Sequence, residues 1–160
     1  MITGQTASME DYLEAIAKLG EVETKVRVTD ISKRLGVKKP SVTYALQKLS
    51  EAGLVEHQKY GCVDLTSDGR IIAEDVIHRH EVFFRFLSEI LGVDREIAQV
   101  DACKLEHWLS ESSINRLTKF VEFILTCPRG DPLLLHGFDY YFEHDERDEA
   151  LVAKCLEEER

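Results

Sequence analysis

The chain has 160 residues, enough for one ordinary domain or two small domains that share an interface. No apolar run approaches the roughly 18 residues that a membrane span needs, and the N-terminus lacks the basic and apolar segments of a signal peptide. Four cysteines lie far apart without a Cys-x-x-Cys pair, which argues against a zinc ribbon and a dithiol redox motif. The composition therefore predicts a protein of the cytoplasm, with no membrane partner and with free thiols.

The charge of the chain is unevenly distributed. The net charge is −10, yet residues 25–62 carry eight Lys or Arg against three acids, a local charge of +5. Phosphate neutralisation needs only a local positive surface, so a basic segment on an acidic body is typical of a DNA-contacting module. The pattern also arises by chance and decides little alone.

The first predicted helix begins at Ser8, which can cap it, and ends near Gly20. Its apolar positions recur at helical spacing: Leu13, Ile16 and Leu19. Asp11 and Glu14 are three residues apart and share a face. They are either a pair of ligands or a solvated acidic first turn that the helix dipole favours.

A helix-turn-helix is predicted next. One short helix spans Val28 to Leu35, Gly36 can close it in the left-handed conformation, and a second helix runs from Pro40 to Leu49. The outward-facing residues of this segment include hydroxyls, an amide and lysines, which can reach base edges and phosphates. They are Lys38, Lys39, Ser41, Thr43, Tyr44, Gln47 and Lys48. The alternative is a helical pair that binds protein.

A hairpin follows the second helix. Leu54–His57 and Cys62–Leu65 flank a turn that contains Gly61. Its tip carries Lys59 and Tyr60, which are placed to touch phosphate. The stretch as a whole predicts a winged helix-turn-helix.

Thr66 can cap a long helix that runs to Leu91 and stops at Gly92. Its apolar residues are too many for one face, so we expect it to pack on two partners. It contains His80, which is either a ligand or an ordinary surface or core histidine. Together with a later amphipathic helix from Ile114 to Leu125, it could bury a homodimer interface.

Three metal-capable side chains lie within five residues at Cys103, Glu106 and His107. If this run is helical, the three project from neighbouring points on one face. A thiolate, a carboxylate and an imidazole suit a first-row divalent transition metal better than calcium or magnesium. The alternative is a helix with a buried Cys and an exposed Glu-His pair and no metal.

The last segment, Leu133 to Arg160, contains an aromatic cluster and then an acidic helix from about Asp145. From Asp139 onward it carries nine acids against three bases, so we expect no DNA contact there. The chain shows no Gly-rich phosphate loop and no Gly-x-Ser-x-Gly elbow, and we expect neither a catalytic role nor a small-molecule substrate.

Five blocks of the sequence, in order, resemble the DtxR/MntR family of metal-dependent bacterial transcriptional repressors over residues 8 to about 132. The blocks are Ser8-Met9-Glu10-Asp11-Tyr12-Leu13-Glu14, Pro40-Ser41-Val42-Thr43, Leu65-Thr66-Ser67-Asp68-Gly69, Arg79-His80-Glu81, and Asp101-Ala102-Cys103-Lys104-Leu105-Glu106-His107. The resemblance implies a mainly α fold, with an N-terminal winged helix-turn-helix (1–72), a helical metal-binding and dimerisation domain (73–132) and an acidic tail (133–160). It also implies a homodimer that represses transcription from a palindromic operator in double-stranded DNA.

Carried over residue by residue, the family's metal ligands fall on six positions. They are Asp11, Glu14, His80, Cys103, Glu106 and His107. The manganese branch has Glu in place of Cys103, and the iron branch has Met in place of Asp11, so the set does not choose between Mn(II) and Fe(II). Oxygen ligands favour Mn(II), whereas a thiolate favours Fe(II), Co(II) or Zn(II), and the last two are expected at least in vitro.

Other departures from the family pattern concern its further sites and domains. Phe84 and Gln99 stand where the iron branch has the Glu and His of an ancillary site. The chain is also too short for the C-terminal SH3-like domain of the longer members. Two rival functions remain open: a metalloenzyme in which the mixed site activates water, and a winged-helix regulator whose metal is structural or vestigial.

Overall fold

The computed structural model describes residues 7–23, 25–58, 61–126, 131–150 and 152–153, with the backbone alone at residues 7, 8, 57, 58 and 131–134. The chain divides into two compact units, one ending at His78 and the other beginning at Arg79. Both units are mainly helical, as predicted. The boundary lies inside one long helix.

The first unit contains three helices, a small sheet and the start of a fourth helix. In chain order these are α1 (Ala7–Val22), β1 (Val26–Arg27), α2 (Val28–Leu35), α3 (Lys39–Glu51), β2 (Val55–Gln58), β3 (Cys62–Leu65) and α4 (Ser67–Arg85). Leu13 and Ile16 of α1, Ile31 of α2 and Leu46 of α3 form one buried apolar cluster. Their burial removes apolar surface from water and fixes the three helices against one another.

The limits of α1 differ from the prediction. The helix begins at Ala7, so Ser8 lies inside it and is not its N-cap. It also continues past Gly20 to Val22. Gly20 is not among the glycines with positive φ, the left-handed conformation in which a glycine commonly ends a helix.

The predicted helix-turn-helix is confirmed. Asp30, in the first turn of α2, accepts a hydrogen bond from the backbone N–H of Arg27 at 3.1 Å. Gly36 ends α2 with φ +66° and donates its backbone N–H to the carbonyl of Ser32. Pro40 lies in the first turn of α3, where no intrahelical N–H partner is needed.

The predicted hairpin is confirmed as β2 and β3, which pair antiparallel with Val55 opposite Leu65. The sequence did not predict β1, whose two residues pair with the other edge of β3. A strand of only two residues carries no readable alternation of apolar and polar side chains.

The start of α4 is tied to the end of the helix-turn-helix. Thr66 caps α4, accepting a hydrogen bond from the backbone N–H of Gly69 at 3.1 Å, and its hydroxyl donates to the carbonyl of Gly53 at 2.8 Å. A Cβ at Gly69 would lie 2.0 Å from the carbonyl oxygen of Leu54, so only glycine fits.

Among its described residues, the second unit contains the end of α4 followed by α5 (Arg95–Leu105), α6 (Glu111–Thr126) and α7 (Asp131–His144). The predicted single helix from Thr66 to Leu91 is α-helical only to Arg85 and continues as a π-helical turn over Phe86–Ile90. Gly92 follows with φ +65°. Such a turn widens the helix by one residue and rotates the side chains that follow.

Neighbouring residues of α4 face different partners, as its excess of apolar residues predicted. Val82 packs in a cluster with Val121 and Ile124 of α6. Phe83 packs in a separate cluster with Ala102 of α5 and Ile114 of α6. This part of α4 is therefore a central element of the second unit.

The aromatic cluster near the end of the chain lies on α7, a helix that the sequence analysis did not predict. Asp145, where an acidic helix was predicted to begin, instead follows α7 with φ +56°. The next helical residues are 149 and 150, and Asp148 caps them by accepting the backbone N–H of Ala150 at 2.9 Å. An aromatic-rich segment without clear periodicity is ambiguous between helix and loop.

Candidate metal centre and nucleic-acid interface

Helix α3 presents a buried apolar side and an exposed polar side. Its buried residues are Val42, Ala45, Leu46 and Leu49. The side chains predicted to contact DNA in this segment are all exposed: Lys38, Lys39, Ser41, Thr43, Tyr44, Gln47 and Lys48. An exposed helical face with hydroxyls, an amide and lysines can enter a major groove.

One acidic residue, Glu51, engages the last two of these side chains. Nε2 of Gln47 donates to Oε1 of Glu51 at 3.0 Å, and Nζ of Lys48 donates to Oε2 at 2.7 Å. These hydrogen bonds, that from Lys48 first, hold the pKa of Glu51 below its ordinary value. The same bond raises the pKa of Lys48. Sequence reasoning missed Glu51, although its i+3 and i+4 spacing is readable.

The predicted wing contacts, Lys59 and Tyr60, lie outside the described residues. The strands that lead into and out of the turn are paired, and Gly61 has φ +74°. The backbone thus has the hairpin on which the two contacts were predicted.

The predicted acidic ligands Asp11 and Glu14 both lie on α1 in the first unit. Glu14 is partly buried, and its Oε1 is 2.5 Å from Nζ of Lys18 one turn later. This ion pair places a positive charge beside a carboxylate that was predicted as a metal ligand. Lys18 was not singled out from the sequence.

The second unit brings three of the other predicted ligands together: His80, Glu106 and His107. Nδ1 of His80 lies 2.7 Å from Oε2 of Glu106, and Nε2 of His107 lies 3.3 Å from Oε1. The Glu106 side chain is fully buried, with 0% exposure, and those of His80 and His107 are 8% and 6% exposed. Two imidazoles therefore flank one buried carboxylate.

Cys103 differs from these residues because it is exposed. Its Sγ lies within 4.8 Å of a Glu106 carboxylate oxygen. The prediction that Cys103, Glu106 and His107 project from one helical face is only partly right: α5 ends at Leu105, Glu106 is its C-cap and His107 lies in the following turn. The alternative of a buried Cys with an exposed Glu-His pair is the reverse of what the structure has.

Two further residues support this cluster and were not predicted as site residues. Arg79 donates from Nη1 to the backbone carbonyl of Glu106 at 2.9 Å, which anchors the end of α5. Nε2 of Gln99 lies 2.6 Å from Nε2 of His80. Gln99 precedes Cys103 by four residues on α5, and this spacing could have identified it.

The cluster suits a cation. Oε1 of Glu106 is buried and, within the part of the chain that the structure describes, accepts no hydrogen bond, although Nε2 of His107 lies 3.3 Å away. Burying a carboxylate oxygen without a hydrogen bond is costly, and coordination of a cation is a common way to offset that cost. Carboxylate and imidazole donors with a nearby thiol fit a first-row divalent metal.

No helix among the described residues is both long and apolar enough to cross a bilayer.

Two family models match the chain in succession. Residues 5–63 match the N-terminal DNA-binding domain of the iron-dependent repressors. Residues 66–135 match the metal-binding and dimerisation domain of the same family. The chain belongs to the iron-dependent repressor (DtxR/MntR) family. The members of this family are DNA-binding transcriptional regulators. The matched metal-binding domain contains His80, Cys103, Glu106 and His107, here called the Glu106 cluster.

Curated relatives of the chain are transcriptional regulators as well. The HTH-type transcriptional regulator MntR of Bacillus subtilis (strain 168) is 41% identical over 118 residues, which cover 74% of this chain and 82% of the relative. An uncharacterised HTH-type transcriptional regulator of Methanocaldococcus jannaschii is 37% identical over 116 residues, 72% of this chain and 93% of the relative.

Solved structures extend the same comparison. The manganese regulator SloR has a TM-score of 0.67 and 30% identity, covering 74% of this chain and 55% of its own. A manganese-dependent transcriptional repressor in complex with manganese has a TM-score of 0.67 and 32% identity, covering 72% and 53%. The repressor described here thus spans about half the length of these structures.

Proposed function

We propose that this chain is a transcriptional repressor of metal-ion homeostasis that is activated by Mn(II) or Fe(II) and binds a palindromic operator as a homodimer. The observation that carries the proposal is the buried Glu106 carboxylate, flanked by two buried histidines and left with an oxygen that accepts no hydrogen bond among the described residues. The matches to the family's DNA-binding domain and to its metal-binding and dimerisation domain support the proposed DNA binding and homodimer. We also propose that the protein has no catalytic role and that it acts in the cytoplasm.

The proposed ligand set draws on both units. Asp11 and Glu14 of the first unit complete the set that His80, Cys103, Glu106 and His107 begin in the second. When bound, the metal supplies a divalent positive charge that favours the ionised carboxylates and thiolate. The mixture of carboxylates, imidazoles and a thiol leaves the choice between Mn(II) and Fe(II) to geometry and metal supply rather than to affinity order.

The proposed mechanism rests on the charge of the ligands. Without a cation, Asp11, Glu14 and Glu106 carry like charges that repel one another. With that repulsion neutralised, the recognition helices of the two protomers take the spacing of two half-sites. Because binding linkage is reciprocal, operator DNA raises metal affinity by the same factor by which metal raises DNA affinity.

The proposed DNA contacts divide into two kinds. The hydroxyls and amide of α3, at Ser41, Thr43 and Gln47, face base edges. The lysines at the two ends of α3 and the wing-tip pair Lys59 and Tyr60 face phosphates. The basic stretch 25–62, with its local charge of +5, provides the sequence-independent share of the affinity.

A gel-shift titration with metals tests the proposal. The probe is the upstream region of a neighbouring metal-transport gene, titrated with and without Mn(II), Fe(II), Co(II) and Zn(II). Wild-type protein shifts the probe at lower concentration with metal, whereas His80→Ala and Glu106→Ala do not respond. Wild-type binding that survives chelation supports a regulator with a structural or vestigial metal and overturns the proposal.

A further inference from the structure

His80 is contacted at both ring nitrogens by side chains of its own unit. Nδ1 lies 2.7 Å from the Glu106 carboxylate, and Nε2 lies 2.6 Å from the amide nitrogen of Gln99. His80 is buried, whereas Gln99 lies on the exposed side of α5. The amide therefore closes the outer edge of the ring, opposite the cluster around Glu106.

The two contacts define which nitrogen carries hydrogen in the metal-free ring. The amide nitrogen of Gln99 can only donate, so Nε2 of His80 carries the lone pair that accepts from it. The ring hydrogen then sits on Nδ1, which faces the Glu106 carboxylate at 2.7 Å.

Metal coordination through Nδ1 requires the opposite tautomer. Nδ1 must then offer its lone pair, and hydrogen must sit on Nε2. One proton leaves Nδ1 for solvent and one from solvent binds Nε2, so the proton count of the ring is unchanged. The group opposite Nε2 must now accept a hydrogen bond. An amide can do so by rotating half a turn and presenting its Oε1, which no purely donating or apolar side chain can do.

We propose that Gln99 is a positioning residue that directs Nδ1 of His80, and not Nε2, toward the metal, and that its amide serves both ring tautomers by turning over. This inference rests on His80 being a metal ligand, as proposed above. Partners on the far nitrogen of a ligating histidine fix its orientation, and their removal typically weakens metal binding by about 10- to 100-fold.

Three substitutions at Gln99 separate hydrogen bonding from simple packing. Gln99→Met fills similar space but neither donates nor accepts, so we expect the dissociation constant for Mn(II) to rise by about 10- to 100-fold. Gln99→Glu keeps an acceptor for Nε2–H and should restore binding to within a few-fold of wild type. Gln99→Ala admits water, which can substitute for the amide, so its loss should be smaller than that of Gln99→Met. Val100→Ala, at the next and 56% exposed residue of α5, is the matched control.

The readouts are the Mn(II) dissociation constant, from the free-ion electron paramagnetic resonance signal, and the ring ¹⁵N shifts of His80, assigned by difference from His80→Ala. The full-length metal-free protein should show hydrogen on Nδ1, and the protein loaded with diamagnetic Zn(II) should show it on Nε2. In Gln99→Met the metal-free ring should lose its single tautomer.

Two results would overturn the inference: Gln99→Met binding Mn(II) as tightly as Val100→Ala, or hydrogen on Nδ1 in the Zn(II)-loaded protein. The His80→Ala arm separates this inference from the proposed function. If His80→Ala loses metal while Gln99→Met retains it, only the role of Gln99 fails. If His80→Ala binds Mn(II) like wild type, the proposed metal site fails as well.

Discussion

The two units of the chain keep their polar chemistry in opposite places. In the first unit the described core is apolar, and the polar residues of α3 are exposed. In the second unit the Glu106 side chain is fully buried, and the side chains of His80 and His107 are at most 8% exposed. Side chains that contact DNA must be exposed to solvent in the free protein. The ligands of a metal site, in contrast, are best shielded from water, which competes with them for the metal.

This difference carries a cost in stability for the second unit alone. A fully buried carboxylate loses its hydration, and only part of that loss is repaid by two imidazoles. The first unit has no comparable penalty among its described residues. We therefore expect the stability of the first unit to depend on packing and that of the second to depend on metal.

The largest expected change in the free energy of unfolding comes from truncating an apolar side chain in the core of the first unit. Leu46 is fully buried between the helices of the winged helix-turn-helix. Leu46→Ala should lower the free energy of unfolding by about 2–5 kcal/mol, because it removes buried surface and leaves a cavity. Urea denaturation followed by circular dichroism measures it. The loss should be equal with and without Mn(II); a loss that metal abolishes would contradict the comparison.

The second effect is from neutralising the buried carboxylate. Glu106→Gln keeps the shape of the side chain and removes its charge, so the metal-free protein should be as stable as wild type or more so. Saturating metal at 100 times its dissociation constant should add about 2.7 kcal/mol to wild type and nothing to the variant. Thermal unfolding with and without Mn(II) measures both. A variant that gains metal stability like wild type would show that Glu106 is no ligand.

The third effect concerns the exposed member of the predicted ligand set. Cys103→Glu replaces a soft thiolate with a hard carboxylate, which should shift the ranking of metals toward Mn(II) and away from Fe(II), Co(II) and Zn(II). DNA affinity measured with each metal is the readout, and Cys62→Ser at a buried cysteine of the first unit is the control for losing a thiol. An unchanged ranking would remove Cys103 from the account of metal choice.

The smallest effect is at the surface of α3. Lys48→Ala removes the hydrogen bond that most lowers the pKa of Glu51, so that pKa should rise toward its ordinary value of 4.5. Because the folded-state pKa is lowered, the pair stabilises the fold above pH 4.5 and loses this contribution as the pH falls through the lowered value. Both side chains are exposed, so the change in stability should be slight. Nuclear magnetic resonance titration of the Glu51 side chain tests it; an unmoved pKa would contradict the assignment.

The same contrast explains what the sequence could predict. The helix-turn-helix could be predicted from the sequence because its signals are local. The apolar spacing indicates helices, Gly36 marks the end of α2, and Pro40 marks the first turn of α3. The position of Glu106 could not be predicted in this way, since its burial depends on residues of α4 that are 26 and 27 positions away, His80 and Arg79. The six-residue ligand set came from the resemblance, and its completion across both units stays a prediction, as do the domain boundaries at residues 72 and 132.

Two smaller misses have local reasons. The π-helical turn at Phe86–Ile90 changes the hydrogen-bond register without changing which residues are apolar, so no periodicity reveals it. Helix α7 begins just after residues 128–130, Pro-Arg-Gly, and its first turn contains Pro132. These residues were interpreted as a loop, although proline is also common in the first turn of a helix.

The central claim is that metal at the Glu106 cluster and DNA at α3 are coupled, and reciprocal linkage tests it most directly. A DNA duplex selected by the metal-loaded protein is titrated with and without Mn(II), and Mn(II) is titrated with and without that duplex. The account predicts that the two affinities rise by one common factor, about 5- to 150-fold for a typical coupling, and that the factor is unity in Glu106→Gln. Wild-type DNA affinity that does not change with metal would contradict it.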